Sequence, residues 1–223
     1  MHNIKDYTNI ETNKLLSLFV VPKKTINSTY LINNEKLLIK ALKNDKRKQE
    51  FLQIRELRNN TIGKIEILYN NDGKPFLSDS DDFISISHSP NYIALVKAPF
   101  NIGLDIEEIN ERILKIKSRF LNEDELVLIG STIENLTTAW TLKEAMFKLN
   151  SKTGIDFRKE LLIKEKTDFG YLGEMLDMDG WRTVKLKSIQ KENLIISYNF
   201  EPSILIWVKF YLYYNFHPKQ LPF

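Results

Sequence analysis

The sequence of 223 residues contains no cysteine and only three histidines. Without cysteine, the chain can form no disulfide framework, no thiolate nucleophile and no cysteine-based zinc site. No second histidine lies at ligand spacing from His88, which disfavours a histidine-based zinc site as well. This composition fits a cytoplasmic protein.

Long hydrophobic runs are also missing. The first residues, Met1 to Asp6, contain no apolar segment of the kind found in signal peptides. The most apolar stretch, Ile204 to Phe216, is short and contains Lys209 and Asn215, so it predicts a buried strand rather than a membrane span. We therefore expect no membrane association.

The excess of charge of one sign is small. The 32 basic and 29 acidic residues leave a net charge of +3, which by itself does not argue for a nucleic-acid partner. The basic cluster 46–48 has acidic neighbours at Asp45 and Glu50 and no interleaved aromatic residues. A nucleic-acid-binding helix is therefore an alternative that we disfavour, and we expect no nucleic-acid partner.

Short strand patterns and unevenly spaced helices are what the sequence does contain. Strands are predicted at Leu15–Val21, Ile65–Tyr69, Phe83–Ile86, Tyr92–Val96, Ile102–Ile106 and, joined by turns, within Trp181–Phe200 and Ser203–Phe216. Helices are predicted within Glu35–Asn59, at Glu111–Phe120, after the capping-box pattern of Asn122 and Glu125, and at Leu136–Asn150. This mixture favours an α+β fold over a regular βαβ array.

Two carboxylates stand on one predicted strand. Asp105 and Glu107 are two residues apart, so their side chains project from the same face. Mg²⁺ takes one or two carboxylates together with substrate phosphates and waters, so the pair suits this ion. A solvated strand edge is the alternative, because an Asp-x-Glu pair alone is a weak signal.

A third carboxylate lies on the predicted helix 136–150. Trp140, Glu144 and Lys148 are four residues apart and share one helix face. A surface Glu–Lys pair beside a buried Trp, worth about 0.3–0.5 kcal/mol, is the alternative. Together with the strand pair and Lys143, however, these side chains would complete a pyrophosphate site, since lysine acts as a point charge for phosphate oxygens.

Two further segments carry polar groups in connections. His88, between Ser87 and Ser89, is either a structural hydrogen-bonding residue or, near a phosphate, a donor. Gly73-Lys74-Pro75 places a cation at the exit of a turn, and a simple turn is the alternative for this segment.

Taken in order, these segments resemble the motifs of the 4′-phosphopantetheinyl transferases, specifically the two-lobed surfactin-synthetase-activating type. The shared motifs are Gly73-Lys74-Pro75, Ser87-His88-Ser89, Gly103 to Glu107, Phe120 with Glu125, and Trp140 to Lys148. The resemblance extends over roughly residues 47 to 160. Ser85 and Pro90 depart from the family pattern, in which asparagine and glycine are common there, but neither change removes a charged ligand.

The resemblance implies an α+β fold of two similar lobes, related by a pseudo-two-fold axis, with the active site in the cleft between them. Residues 1–100 would form the N-terminal lobe and residues 101–223 the C-terminal lobe, with the boundary near Ala98 to Asn101. The protein would act as a monomer.

The resemblance also implies the ligands. Mg²⁺, or Mn²⁺ in its place, would be held by Asp105, Glu107 and Glu144. Catalysis would rest on Glu144 and Lys148, with the general base left open between Glu144, Glu125 and a water molecule. The co-substrate coenzyme A would be bound by Arg47, Lys74, Pro75, Ser87, His88, Lys143 and Lys148.

The implied reaction moves 4′-phosphopantetheine from coenzyme A to a serine of an acyl or peptidyl carrier protein and releases adenosine 3′,5′-bisphosphate. Carrier proteins are typically acidic, which makes the basic helix after the Asp-x-Glu pair a candidate docking surface, through Arg112, Lys115, Lys117 and Arg119. A non-catalytic module that binds coenzyme A or a nucleotide is the alternative.

Overall fold

The computed structural model describes residues 8–13, 16–150 and 154–200, and for residues 8–13 the backbone alone. These ranges form two antiparallel sheets with helices packed against them, which confirms the predicted α+β class. No helix in these ranges is long and apolar enough to cross a membrane. The predicted strand Ser203–Phe216 lies outside the described residues.

The first sheet has six strands: β1 (Thr8–Asn13), β2 (Leu16–Pro22), β3 (Ile67–Tyr69), β4 (Pro75–Leu77), β5 (Phe83–His88) and β6 (Tyr92–Ala98). Their order in the sheet is β1-β2-β6-β5-β4-β3. Between β2 and β3 the chain forms the helices α1 (Asn33–Ala41) and α2 (Asp45–Thr61). The buried side chains of Ile54 and Leu57 on α2 pack against Ile67, Ile84 and Leu95, so this helix covers one face of the sheet.

The second sheet is formed by β7 (Leu104–Glu108), β8 (Leu161–Thr167), β9 (Gly170–Asp177), β10 (Gly180–Lys191) and β11 (Leu194–Asn199). Its order is β7-β11-β10-β9-β8. Between β7 and β8 lie α3 (Arg112–Phe120), α4 (Glu123–Ile129) and α5 (Ile133–Leu149). α5 carries the second core, where Leu142 and Met146 pack with Leu161, Met175 and Leu186.

The two sheets share an apolar core and a polar seam. Leu18 and Val96 of the first sheet belong to one buried cluster with Ile106 and Ile196 of the second. At the seam, strand β5 lies beside β7, and side-chain hydroxyls make the connection. The Ser85 Oγ accepts from the Leu104 N–H at 3.0 Å, and the Ser87 Oγ accepts from the Ile106 N–H at 3.2 Å. A boundary between two lobes near residue 100 stays a prediction.

Gly103 brings the beginning of β7 against helix α5. A Cβ atom at this position would lie 2.1 Å from the Ala145 carbonyl oxygen and 3.1 Å from its carbon, so a side chain cannot fit without moving the helix backbone. The close approach places Asp105, two residues further along β7, beside the C-terminal turn of α5. The Gly-x-Asp spacing thus has a packing reason.

Candidate active site

Asp105 is the centre of the polar seam. Its carboxylate is buried, with 8% of the side chain exposed. Oδ1 accepts from the Ser87 hydroxyl at 2.7 Å and from the Lys148 ammonium at 2.9 Å. Oδ2 is buried and has no hydrogen-bond partner. Because a buried carboxylate oxygen without a partner is costly, this atom points to a ligand that would complete it.

Glu107 and Glu144 add two carboxylates beside Asp105. Burial, reinforced by the negative charge of Asp105, raises the pKa of Glu107 to about 7, against the opposing effects of a hydrogen bond from Trp140 and the charge of Lys148. Burial and the same charge raise the pKa of Glu144 to about 7, and Glu107 contributes to this shift. Three carboxylates that repel one another in a partly buried place would be stabilised by a bound cation.

The carboxylates offer the oxygen donors that Mg²⁺ prefers, but they do not form a closed cage. Among the described residues, no three His, Cys, Asp or Glu side chains converge closely enough to hold an ion by themselves. Mg²⁺ usually keeps several waters and binds through one or two carboxylates and substrate phosphates. The orphaned Asp105 oxygen and the raised pKa values of Glu107 and Glu144 therefore fit such an open magnesium site.

Lys148 joins the two sheets at this point. Its Nζ donates to the Leu104 carbonyl at 2.6 Å, to Asp105 and, at 3.4 Å, to the Ile86 carbonyl of the first sheet. The side chain is 26% exposed. It does not form the simple surface pair with Glu144 that the helical spacing also allowed, because its partners lie on β5 and β7.

A cleft of about 380 Å³ opens on the other side of Lys148. Lys74 and Pro75 line it from the first sheet, as do Ser85 and Ile86, while Phe147 and Lys148 line it from α5. The Lys74 Nζ donates to the Asn101 Oδ1 at 2.6 Å. Burial lowers the pKa of Lys74, and the nearby positive charge of Arg182 lowers it further. The cleft thus combines two ammonium groups with apolar side chains and with one carboxylate, that of Asp72.

His88 lies at the end of β5, on the exposed side of the seam. Its Nε2 is 3.7 Å from the Glu50 Oε2, and 54% of its side chain is exposed. Burial lowers the pKa of His88, partly offset by the charge of Glu50. The structure therefore brings Ser87 to Asp105 but places His88 against helix α2. Arg47 is exposed in the first turn of the same helix.

Lys143 has a different position from the one expected of a coenzyme A ligand. It is fully buried beneath α5, where its Nζ donates to the carbonyls of Phe120 and Phe157 at 2.5 and 2.9 Å. Its third partner is Glu125, at 2.7 Å from Oε1 and 2.8 Å from Oε2. Burial lowers the pKa of Lys143 to about 8, against the opposing charge of Glu125. This geometry gives Lys143 a structural role and no access to the cleft.

Glu125 is equally enclosed. It closes the capping box at the beginning of α4, accepting from the Asn122 N–H at 3.0 Å, and also accepts from the Ile163 N–H at 2.8 Å. With 2% of the side chain exposed, it has no route to an incoming hydroxyl. Of the three candidates for the general base, Glu125 is the one that this geometry does not support.

The contacts of Glu108 and Ser85 were not predicted from the sequence. Glu108 holds the turn after His88, because its carboxylate accepts from the Ser89 hydroxyl at 2.8 Å and from the Asn91 N–H at 2.7 Å. Ser85, which departs from the family pattern, accepts a hydrogen bond from the Leu104 N–H across the seam. The hydrophobic alternation of β5 could have indicated the face of Ser85, but not its partner.

A second cavity of about 300 Å³ lies beyond Glu107. Trp140 and Thr137 of α5, Arg112 and Ile113 of α3, and Pro90 are among the residues that line it. The two cavities have no lining residue in common. Lys148, which contacts Asp105, borders the first cavity, and Glu107 borders the second.

Comparisons with known proteins agree with the resemblance in the motifs. Residues 101–196 match the family model of the 4'-phosphopantetheinyl transferase superfamily. The chain is similar to the 4'-phosphopantetheinyl transferase gsp of Aneurinibacillus migulanus, with 34% identity over 88 residues, 37% of each chain. It is also similar to the 4'-phosphopantetheinyl transferase psf-1 of Bacillus pumilus, with 27% identity over 137 residues, 59% of this chain and 54% of that protein.

The chain thus spans 37% and 54% of the lengths of these two relatives. The matches confirm the resemblance: the segment 101–196, which contains the three carboxylates and α5, carries the sequence pattern of the 4'-phosphopantetheinyl transferase superfamily.

Proposed function

We propose that the protein is a 4′-phosphopantetheinyl transferase, which moves the 4′-phosphopantetheine arm of coenzyme A to a serine hydroxyl of a carrier protein and releases adenosine 3′,5′-bisphosphate. The observation that carries the proposal is the Asp105 carboxylate, held through one oxygen by Ser87 and Lys148 while the other oxygen is buried without a partner. A site of this kind suits a pyrophosphate donor with a divalent cation.

The cleft of about 380 Å³ would hold coenzyme A. Lys74 and Lys148 supply positive charge for the phosphates from the two sides of the cleft, and lysine serves phosphate as a point charge. Pro75 and Phe147 offer apolar surface for the base or the sugar. Ser87 and His88 would contribute from β5, and Arg47 from α2. Lys143 does not belong to this set, because it is fully buried and its ammonium group is held by Phe120 and Glu125.

Asp105, Glu107 and Glu144 would hold Mg²⁺, or Mn²⁺ in its place. The bound ion would supply Lewis-acid polarisation of the pyrophosphate oxygens. Lys148, fixed by the Leu104 carbonyl and Asp105, would offset the negative charge that develops on the phosphates. The carrier serine is the nucleophile, so the chain needs only a group or a water molecule that takes its proton. Glu144 would take it directly or through a water molecule, acting as a weak base while it is bound to the cation.

The carrier protein would dock on the side of the second cavity. Arg112 and Lys115 are exposed on α3, and Arg112 borders the cavity beside Glu107 and Trp140. Lys117 and Arg119 continue the basic surface along the helix. An acidic carrier protein would be complementary to it. The acidity of the carrier, a monomeric state and a cytoplasmic location stay predictions.

Mass spectrometry of a carrier protein after incubation with coenzyme A and Mg²⁺ tests the proposal. We expect a mass increase of one phosphopantetheine with the wild-type protein and none with Asp105→Ala. Asp124→Ala is the matched control, because Asp124 is an exposed carboxylate on α4. Binding of coenzyme A with an unchanged carrier mass would favour the non-catalytic module, and turnover of Asp105→Ala at saturating Mg²⁺ would overturn the metal site.

A further inference from the structure

Asn101 lies in the connection between the two sheets and contacts both sides of the cleft. Its Oδ1 accepts from the Lys74 Nζ at 2.6 Å, and its Nδ2 donates to the Leu149 carbonyl at 3.3 Å. Its own carbonyl accepts from the Asn199 Nδ2 at 2.9 Å. One amide side chain therefore joins the turn that carries Lys74 to the last residue of α5, directly after Lys148.

The turn around Lys74 is fixed at the backbone but not at the end of the side chain. The Asn70 Oδ1 accepts from the Lys74 N–H at 2.8 Å and from the Asp72 N–H at 3.1 Å. Gly73, with a φ of 79°, completes the turn in a conformation that favours glycine. The four-carbon stem of a lysine remains flexible beyond such a turn. The direction of the ammonium group must come from a separate contact.

We propose that Asn101 is a positioning residue that fixes the Lys74 ammonium in the cleft, in register with Lys148, for the phosphates of coenzyme A. This inference rests on the proposed function. An ammonium group has three donors, so the bond to Asn101 leaves two for phosphate oxygens. The bond to Leu149 ties the same amide to the helix end that carries Lys148.

The amide suits this role better than a carboxylate would. A neutral oxygen orients the ammonium without cancelling its charge, whereas an aspartate would form an ion pair and compete with the phosphates. An aspartate would also lack the N–H group that donates to the Leu149 carbonyl.

Steady-state kinetics of two Asn101 variants test the inference. We expect Asn101→Ala to raise the KM for coenzyme A about tenfold, the factor that corresponds to the loss of a hydrogen bond to a charged group, with kcat changed less than about twofold. Asn101→Asp should raise this KM at least as much, although an aspartate keeps an oxygen acceptor for Lys74. A fall in kcat with an unchanged KM would overturn the inference.

A double-mutant cycle separates positioning from general stability. If Asn101 acts through Lys74, Asn101→Ala should have almost no further effect on the KM in a Lys74→Ala background. An equal rise of the KM in both backgrounds would mean that Asn101 only supports the fold, and would overturn the inference.

Chemical labelling examines the contact without using coenzyme A. We expect the Lys74 amine to react with an acylating reagent several times faster in Asn101→Ala than in wild type, with exposed Lys166 as the internal reference. An unchanged rate would overturn the contact between Asn101 and Lys74. A wild-type protein that does not bind coenzyme A would instead overturn the proposed function and the ligand assigned here, while the labelling would still decide whether Asn101 holds Lys74.

Discussion

Lys143 and Lys148 lie on the same helix, little more than one turn apart, in opposite environments. Lys143 is fully buried, and its partners are the Glu125 carboxylate and the carbonyls of Phe120 and Phe157. Lys148 is 26% exposed and contacts strands of both sheets. Both belong to the segment that suggests a phosphate site in the sequence, but only one reaches the cleft.

The ion pairs Lys143–Glu125 and Lys148–Asp105 differ in whether every carboxylate oxygen has a hydrogen-bond partner. Both oxygens of Glu125 accept hydrogen bonds, from Lys143 and from the N–H groups of Asn122 and Ile163. Asp105 keeps one buried oxygen without a partner, and its other oxygen accepts from Lys148, which lines the cleft. A complete network holds a fold together, whereas an incomplete network at a cavity is suited to a ligand.

The largest effect is expected on the free energy of unfolding when the buried pair Lys143–Glu125 is broken. Lys143→Met should lower the free energy of unfolding by about 3–5 kcal/mol, because it leaves the buried Glu125 without its counter-charge. Urea denaturation measures this loss. Lys159→Met, which removes an exposed lysine, is the control. A loss of under about 1 kcal/mol for Lys143→Met would remove the distinction between the two lysines.

The next largest effect is expected on catalysis when Lys148, the partner of Asp105, is replaced. Lys148→Ala should lower kcat by about 10²–10³, the range for the loss of one preorganised electrostatic contact, with a smaller loss of stability than Lys143→Met. Lys148→Arg should not fully restore kcat, since a guanidinium group is wider than an ammonium group. Steady-state transfer to a carrier protein at saturating coenzyme A gives kcat, and single-turnover transfer gives the rate of the chemical step. Nearly wild-type kcat in Lys148→Ala would return this lysine to a structural role.

A third variant alters the carboxylates without changing the shape of the helix. Glu144→Gln should raise the Mg²⁺ concentration required for half-maximal turnover by roughly 10–100-fold. Loss of a group that only holds a metal ligand in place already has an effect of this size, so loss of a ligand should have at least the same effect. Turnover measured against Mg²⁺ concentration decides this, with Glu134→Gln at the exposed beginning of α5 as the control. Superimposable curves for Glu144→Gln and wild type would exclude Glu144 from the metal site.

Periodicity predicted those parts of the site that lie on single elements. The face shared by Asp105 and Glu107 follows from the alternation of a strand, and helix 136–150 was predicted close to its observed bounds, Ile133–Leu149. The predicted helical region Glu35–Asn59 forms two helices, Asn33–Ala41 and Asp45–Thr61. The spacing of apolar and polar residues was sufficient to predict these elements, because the pattern repeats within each helix or strand.

Contacts between distant segments could not be predicted in this way. Asn101 meets a residue 27 positions earlier and another 48 positions later, and no local pattern encodes either contact. The enclosure of Lys143 depends on α4 and on the segment around Phe157, which the helical pattern of α5 does not contain. Strands β8 and β9 were missed because charged residues interrupt their apolar alternation, as in Leu161–Thr167.

The smallest effect concerns pH. The pKa of Glu144 is raised from 4.5 to about 7 by burial and by the charge of Asp105, so between these values the unfolded chain releases a proton that the folded protein keeps. The contribution of Glu144 to the free energy of unfolding is therefore fully present below pH 4.5 and is lost as the pH rises towards 7. Lys148 opposes part of this loss.

Thermal unfolding of the metal-free wild type and of Glu144→Gln isolates this contribution. Between pH 5 and pH 7.5, we expect the Tm of the wild type to fall relative to the Tm of the variant, by roughly 2–4 °C for a contribution on the order of 1 kcal/mol. Mg²⁺ should reduce this difference, because a cation favours the ionised carboxylates. Parallel Tm curves for the two proteins, with or without Mg²⁺, would mean that the pKa of Glu144 is not raised in the folded protein, and the contrast with the Lys143–Glu125 pair would then rest on geometry alone.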